Sequence, residues 1–406
     1  MSKTFCSLPW IHLATHPHGG VTLCCIADHT NSESRAKNFD KNGNPIWLTL
    51  GKDSIDDIMN SDYYKQTRLQ MLNDEIPKAC ERCFIEEKNG IRSKRLEENE
   101  NYKDFTIENA KSITDGSGKI NVPMKFVELR LGNLCNVKCR SCNPASSTKW
   151  VKEYKELEKN FDFVTSYRWV DDFSWIENDK FWDDLFDNSD ELEMIYINGG
   201  EPTLVKKHWE YLDKLVEKDM AKNISLWYSI NMTNLPPKTF DVWKKFKNVR
   251  VSCSIDDIDK RNLYLRYPTQ WKSVLKNLDL LLDEKYLDVS VCQTISFLNV
   301  FYMDKFYDYF HNHKKLHVHQ NMVYDPQFLS PWILPIEIKQ DIIDRCEKVM
   351  NKSDFDIFKS YMMNNKSDEK LLQQGIEYNE YLDGTRNENM KETFKELFDA
   401  LANDKN

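Results

Sequence analysis

The chain contains no apolar run approaching the roughly 20 residues that a helix needs to cross a bilayer, which argues against an integral membrane protein. It has no excess of positive charge: 56 Lys and Arg stand against 65 Asp and Glu, a formal net charge of -9. That balance disfavours nonspecific nucleic-acid binding. Neither a G-x4-G-K-[ST] phosphate loop nor a G-x-S-x-G nucleophile elbow occurs, so nucleotide hydrolysis and serine-hydrolase chemistry lack their usual signatures. Tandem repeats are absent as well. The first residues, MSKTFCSLPW, do not have the basic-then-apolar layout of a secretory signal, and a cytoplasmic location is expected.

What is present is cysteine, in clusters. Eleven occur in 406 residues, an odd number gathered in groups, which in a reducing compartment favours metal sites over disulfides. Hydrophobic residues at 40% and aromatics at 12% supply a real core. The length allows two domains or one large barrel with additions.

From about residue 123, short apolar or alternating runs are separated by longer amphipathic ones. The expected strands are 125–131, 192–197, 224–231, 249–255, 287–295 and 316–323, with helices such as 238–246 and 271–284 between them. Six alternations indicate parallel β/α units, too few for a closed eight-unit barrel. The expected fold class is therefore α/β, a partial (β/α)6 TIM-type barrel spanning 123–335. An insertion at 150–190 should carry its own helices. Its aromatic 163–185 stretch either packs such a helix or covers a cleft. Residues 1–95 form a cysteine-rich module with a turn at 16–20 and a helical pattern at 54–74. Residues 96–122 read as a linker, and 336–406 as a helical C-terminal extension.

Cys135, Cys139 and Cys142 follow the first barrel strand with the spacing C-x3-C-x2-C. Loops leaving the C-terminal ends of parallel barrel strands face the active site. Three thiolates on a [4Fe–4S] cube leave one iron without a protein ligand, where a small molecule can bind and be reduced. A zinc site is the competing reading, but zinc takes four ligands and the loop offers three. The second strand runs into Asn198-Gly199-Gly200-Glu201-Pro202. Two glycines permit close backbone approach, Glu201 can accept from an ammonium, and the plain alternative is a tight turn.

These motifs resemble the radical S-adenosylmethionine (SAM) superfamily, over most of the chain. The resemblance implies that Cys135, Cys139 and Cys142 hold a catalytic [4Fe–4S] cluster. Its open iron chelates SAM, and one electron from it generates a 5′-deoxyadenosyl radical. Gly199, Gly200, Glu201 and Pro202 resemble the GGEP element that holds the methionine amino group. Asn234 in Met232-Thr233-Asn234, and Ser254 and Asp256 in the fourth strand's S-I-D, resemble elements whose polar groups reach SAM. Arg266 matches an arginine that pairs with the SAM carboxylate, and Asn299 a Ser-x-x-Asn element from Ser296 near the adenosine. Read as single residues, each of these can equally be a cap or a surface pair.

Cys6, Cys24, Cys25, Cys80 and Cys83 resemble the SPASM/twitch auxiliary-cluster module. Gly19 to Cys24 fits its G-x4-C hairpin, and Gly51 through Ser61 its helical connection. The module commonly follows the barrel, whereas here it precedes it. Cys6, Cys24, Cys80 and Cys83 are the four expected ligands of a second [4Fe–4S] cluster. Cys25, as a strand neighbour of Cys24, should point the other way. A zinc ribbon competes for the same cysteines. Cys253, Cys292 and Cys346 sit in apolar patterns and read as core residues. His12, His16 and His18, and His311, His313, His317 and His319, read as turn, surface or structural residues before metal or substrate ligands.

The resemblance implies an enzyme, with a peptide or protein as the leading substrate class, a small metabolite as another, and flavodoxin or ferredoxin as reductant. A non-catalytic zinc- or iron–sulfur-stabilised binding protein is the alternative.

Overall fold

In the computed structural model, residues 3–27, 34–88, 92–121, 124–164 and 172–404 are described. The chain divides into two compact units. The first comprises Met1–Leu134, Trp169–Trp227 and Lys238–Val249, the second Cys135–Arg168, Tyr228–Pro237 and Arg250–Asn406.

In the first unit, β1 (His12–Thr15) and β2 (Val21–Thr22) form an antiparallel hairpin around the expected turn, and β3 (Lys37–Phe39) pairs with β4 (Pro45–Trp47). β5 (Phe126–Leu131) lies parallel to β6 (Met194–Gly199), with Leu131 opposite Gly199, and also parallel to β1, with His12 opposite Phe126. Thus the hairpin of the cysteine-rich segment extends the sheet at β5. β7 (Ser225–Ile230) follows β6 in strand order. Val127, Leu129 and Leu131 are fully buried on one face of β5, as alternation requires.

Helical periodicity over 54–74 resolves into two helices, Ile55–Met59 and Asp62–Leu72. The break is local: Ser61 caps the second helix by accepting from the Tyr64 N–H, a hydrogen bond that ends one helix as it begins the next. Arg68, fully buried, ties this region together. Its guanidinium donates to the carbonyls of Pro9 at 2.9 Å, Gly118 at 3.0 Å and Met59. Within 96–122, read as linker, run the end of helix Lys94–Asn101 and the whole of Ile107–Ile113. Ala110 and Ile120 pack with Phe5, Trp10 and Phe126 in one core. Short polar sequence hid these elements because only a few of their residues reach that core. The insertion carries helix Asp179–Asp187, which buries Phe181, Trp182 and Leu185. Part of the aromatic stretch, 165–171, lies outside the described residues.

The second unit holds β9 (Leu287–Ile295) and β10 (His317–Met322) in parallel register, with β8 (Asn248–Ser254) next to β9 in strand order. Along the chain β5 to β10 are each followed by a helix. Helix Lys238–Trp243 follows β7, Lys260–Leu265 and Trp271–Asp283 follow β8, and Ile336–Cys346 follows β10. This is the α/β partial-barrel class, six strand–helix steps long. The C-terminal extension is helical, with Lys352–Asn364, Glu369–Arg386, Met390–Thr393 and Lys395–Asn403. The pattern at 390–402 breaks at Phe394, whose φ of -113° and ψ of 41° leave the helical region. Among the described residues no helix is long and apolar enough to cross a membrane.

Candidate active site

Cys135, Cys139 and Cys142 lie together in the second unit around Val137. The loop is held through its own backbone. Trp150 Nε1–H donates to the Cys139 carbonyl at 2.9 Å and Ser147 Oγ–H to the Val137 carbonyl at 2.6 Å. Lys138 N–H and Arg140 N–H donate to Tyr267 and Leu265 at 2.7 and 2.8 Å, so the loop runs against the segment that carries Arg266. Asn231 Nδ2–H reaches the Cys135 sulfur at 3.8 Å and Asn136 Oδ1 at 2.8 Å. Sequence reading passed over Asn231. Its only signal was position, an amide at the end of β7, three residues before the expected Asn234.

Burial pushes the Cys139 thiol up to about 11, against the pull of Arg266. Cys142 is raised by burial and then by Cys139 and Cys135. Two buried thiols and a half-buried one that repel one another as thiolates fit a cationic iron–sulfur centre, which needs them ionised. Arg266 completes the charge balance. Burial opposes its charge, but Cys139 and Asp256 outweigh that and hold it protonated. Its Nη1–H donates to Asp256 Oδ2 at 3.0 Å. Its buried Nε has no hydrogen-bond partner among the described residues, a donor that a ligand's oxygen would satisfy.

Asp256 is in turn fully engaged. Oδ1 accepts from the Thr294 N–H at 2.9 Å, and its carbonyl accepts from Asn299 Nδ2–H at 2.7 Å and Gln293 Nε2–H at 3.0 Å. Asn299 is buried and uses all four of its hydrogen-bonding positions inside the protein. Oδ1 accepts from Ser296 N–H and Oγ–H, and Nδ2 donates to the Asp256 and Thr294 carbonyls. The expected Ser-x-x-Asn element therefore holds Asp256, and through it Arg266. Ser254 and Asn234 are both half-buried.

Gly199 to Pro202 belong to the first unit. A Cβ on Gly199, whose φ is +129°, would sit 2.6 Å from the Leu131 nitrogen, and one on Gly200 would sit 2.4 Å from the Leu134 carbonyl. Gly200 N–H donates to Gly132 at 3.1 Å and Glu201 N–H to Leu134 at 2.8 Å. Here the close approach that needs glycine is to the chain leaving β5. Glu201 is buried, and its Oε1 accepts from Thr203 N–H at 3.2 Å and Oγ–H at 2.6 Å, closing the turn Pro202–Leu204.

Cys6, Cys24, Cys80 and Cys83 line one cavity of the first unit with Leu8 and Ala79. Burial pushes the Cys6 thiol up to about 12, and Cys83 adds to the shift. Cys24 rises through burial and the nearness of Cys25, Cys6 and Cys80. This donor set also suits a cationic cluster. Cys25 is not on a strand, since β2 ends at Thr22 and the chain bends before it. It nonetheless faces different groups, Glu128, Lys94 and Arg130. All eleven cysteines are free of disulfides. Among the described residues no three His, Cys, Asp or Glu side chains are grouped to hold a single metal ion. His12 is buried, with Nδ1 against the Phe126 carbonyl at 3.1 Å, and His317 stacks edge-on to His319.

Two family models match the chain: Radical SAM superfamily over residues 129–310, and the iron-sulfur cluster-binding domain SPASM over residues 6–84. Comparison with curated proteins finds no match. Among solved structures, native anSMEcpe with bound AdoMet is 16% identical at a TM-score of 0.40, over 60% of this chain and 63% of that one. SuiB of Streptococcus suis is 15% identical at a TM-score of 0.33, over 78% of this chain and 62% of that one. The chain thus spans less than two thirds of the length of these structures. With TM-scores below 0.5, they leave the family models as the ground for assignment. Residues 129–310 are thus a radical SAM superfamily domain with a SPASM domain at residues 6–84 ahead of it in the chain, and [4Fe–4S] clusters and S-adenosylmethionine are the cofactors of these domains.

Proposed function

We propose that this protein cleaves SAM reductively and uses the resulting 5′-deoxyadenosyl radical to modify a peptide or protein. Cys135, Cys139 and Cys142 hold the catalytic cluster; Cys6, Cys24, Cys80 and Cys83 hold the auxiliary one. The chemistry that the bound catalytic cluster supplies is one-electron reduction of the sulfonium, which breaks its S–C5′ bond. The observation that carries this reading is the buried Arg266 beside the three thiols, with a free Nε donor among the described residues. Asp256 and Asn299 hold that guanidinium in place, so it meets a SAM carboxylate without reorganising. Glu201, with Gly199, Gly200 and Pro202, serves the methionine amino end, and Asn234 and Ser254 the nucleoside end.

In domain terms, residues 1–95 are the auxiliary module, 123–335 the barrel and 336–406 a helical extension. The substrate class follows from the SPASM resemblance, since enzymes with that module often modify ribosomally made peptides. A flavodoxin or ferredoxin in the cytoplasm supplies the electron.

The test is anaerobic reduction with dithionite in the presence of SAM, with 5′-deoxyadenosine as the readout. The wild-type chain should bind about eight irons and form that product. Replacing Cys135, Cys139 and Cys142 together with Ala should leave about four irons and abolish it. Zinc in place of iron, or product from the triple variant, would overturn the assignment.

A further inference from the structure

We propose that a groove on the C-terminal extension docks a substrate segment in which apolar residues alternate with Lys or Arg. This rests on the peptide-substrate reading above and names the chemistry of the segment that is recognised.

The groove lies within the second unit and has a volume of about 920 Å³, at the large end of ligand sites and enough for several side chains. It is formed by the start of helix Ile336–Cys346, the first half of helix Glu369–Arg386 and the end of the chain near Leu401. Its apolar wall includes Ile333, Leu372, Ile376 and Leu401. Ile336 also lines it and is 46% exposed, apolar surface that a partner would cover. The charge around it is one-sided. Glu337, Glu369, Glu377 and Asp404 line the groove against one cation among the described residues, Lys370.

An apolar wall with an acidic rim matches a segment whose apolar side chains insert while its cations stay at the edge. A second copy of this chain fits less well, because the chain is itself acidic, at -9, and like charge repels.

The groove connects to the cysteine loop through packed aromatic rings. Phe163 lines the groove and packs edge-on against Phe328, ring centres 5.2 Å apart; Phe328 packs on Tyr378 at 5.1 Å. Phe328 and Tyr378 in turn line a small cavity with Arg140 and Cys142. A segment seated at the Phe163 end of the groove is therefore linked through two packed rings to the cavity that backs the cysteine loop.

The experiment measures binding of short fluorescein-labelled peptides to the full-length, cluster-loaded protein by fluorescence anisotropy. A peptide of alternating Leu and Lys should bind at least tenfold more tightly than one of Leu and Glu or of Ser and Lys. Its affinity should fall as salt rises. Charge reversal at three exposed or half-exposed positions, Glu337→Lys, Glu369→Lys and Glu377→Lys together, should weaken it about tenfold. The milder Glu→Gln triple should fall between, which covers the case in which the reversed variant does not fold. Equal binding of all three peptides, or unchanged affinity in both variants, would overturn the proposal. So would a wild-type dimer in sedimentation that the reversed variant dissolves, which would assign the groove to a second copy. Measuring 5′-deoxyadenosine from the wild type separates the two readings. Product without peptide binding sinks the groove alone, and peptide binding without product sinks the radical chemistry alone.

Discussion

Arg140, between Cys139 and Cys142, donates from Nη2 to Asp383 Oδ1 at 2.6 Å, across 243 positions of sequence. The same nitrogen meets Glu388 at 2.8 Å, and Nη1 reaches the carbonyl and side chain of Asn379 at 3.1 Å. Three residues after Asp383, Arg386 adds a second anchor, donating to the Lys138 carbonyl at 3.1 Å and to Glu153 at 2.7 Å. Helix Glu369–Arg386 and the residue Glu388 just after it thus brace the loop that carries the three thiols.

Arg140→Ala should therefore destabilise the fold by roughly 3 kcal/mol, because two carboxylates lose a buried cation. It should also lower iron retention at the radical-SAM cluster more than at the auxiliary one. Urea unfolding and iron counts on the cluster-loaded protein check both. An unchanged unfolding midpoint would show that the brace is dispensable.

The two adjacent cysteines offer a sharper discrimination. Cys24 shares a cavity with Cys6, Cys80 and Cys83, while Cys25 faces Glu128 and Lys94. Cys24→Ser should cost the auxiliary cluster, leaving about four irons of about eight, whereas Cys25→Ser should keep it. Iron loss from the Cys25 variant alone would reverse the ligand assignment.

Gly200 has no room for a methyl group, since a Cβ would lie 2.4 Å from the Leu134 carbonyl and 2.8 Å from backbone carbon. Backbone cannot move aside as a side-chain tip can. Gly200→Ala should cost at least about 2 kcal/mol through overpacking, readable as a lower urea midpoint. A variant as stable as wild type would mean that the turn after β6 relaxes freely.

His208 gives a pH prediction. It is fully buried, with Nδ1–H on the Val205 carbonyl at 2.7 Å, and burial lowers it from 6.5 to about 3. As pH falls below about 6.5 the unfolded chain takes up a proton that the folded one refuses, so stability drops with acidification. Relative to wild type, His208→Asn should gain about 2 kcal/mol between pH 7 and 5, at about 1.4 kcal/mol per unit. Parallel curves for the two proteins over that range would refute it.

The strand spans were legible almost residue by residue. Residues 287–295 were expected as a strand and β9 is Leu287–Ile295; 125–131 was expected and β5 is Phe126–Leu131. Each of these spans carries apolar residues at alternate positions along most of its length, so period and structure coincide. Breaks were less visible. Asn60-Ser61 divides one helical period into two helices through a single capping hydroxyl, and helices 94–101 and 107–113 hide in polar sequence because they bury only a few residues each.

The linear order of residues determined the family resemblance and the cofactor class: thiol spacing, the glycine pair, and the kinds of ligand they can hold are short-range properties that survive in any unfolded chain. Folding alone decided who supports whom. Asn231 at the Cys135 sulfur and Asp383 on Arg140 are common polar residues with no local signature, and the Ser296–Asn299 element showed itself locally without showing that it holds Asp256. Their roles come from contacts that close long loops, and chain entropy makes such contacts available only once the packed core has brought the partners together.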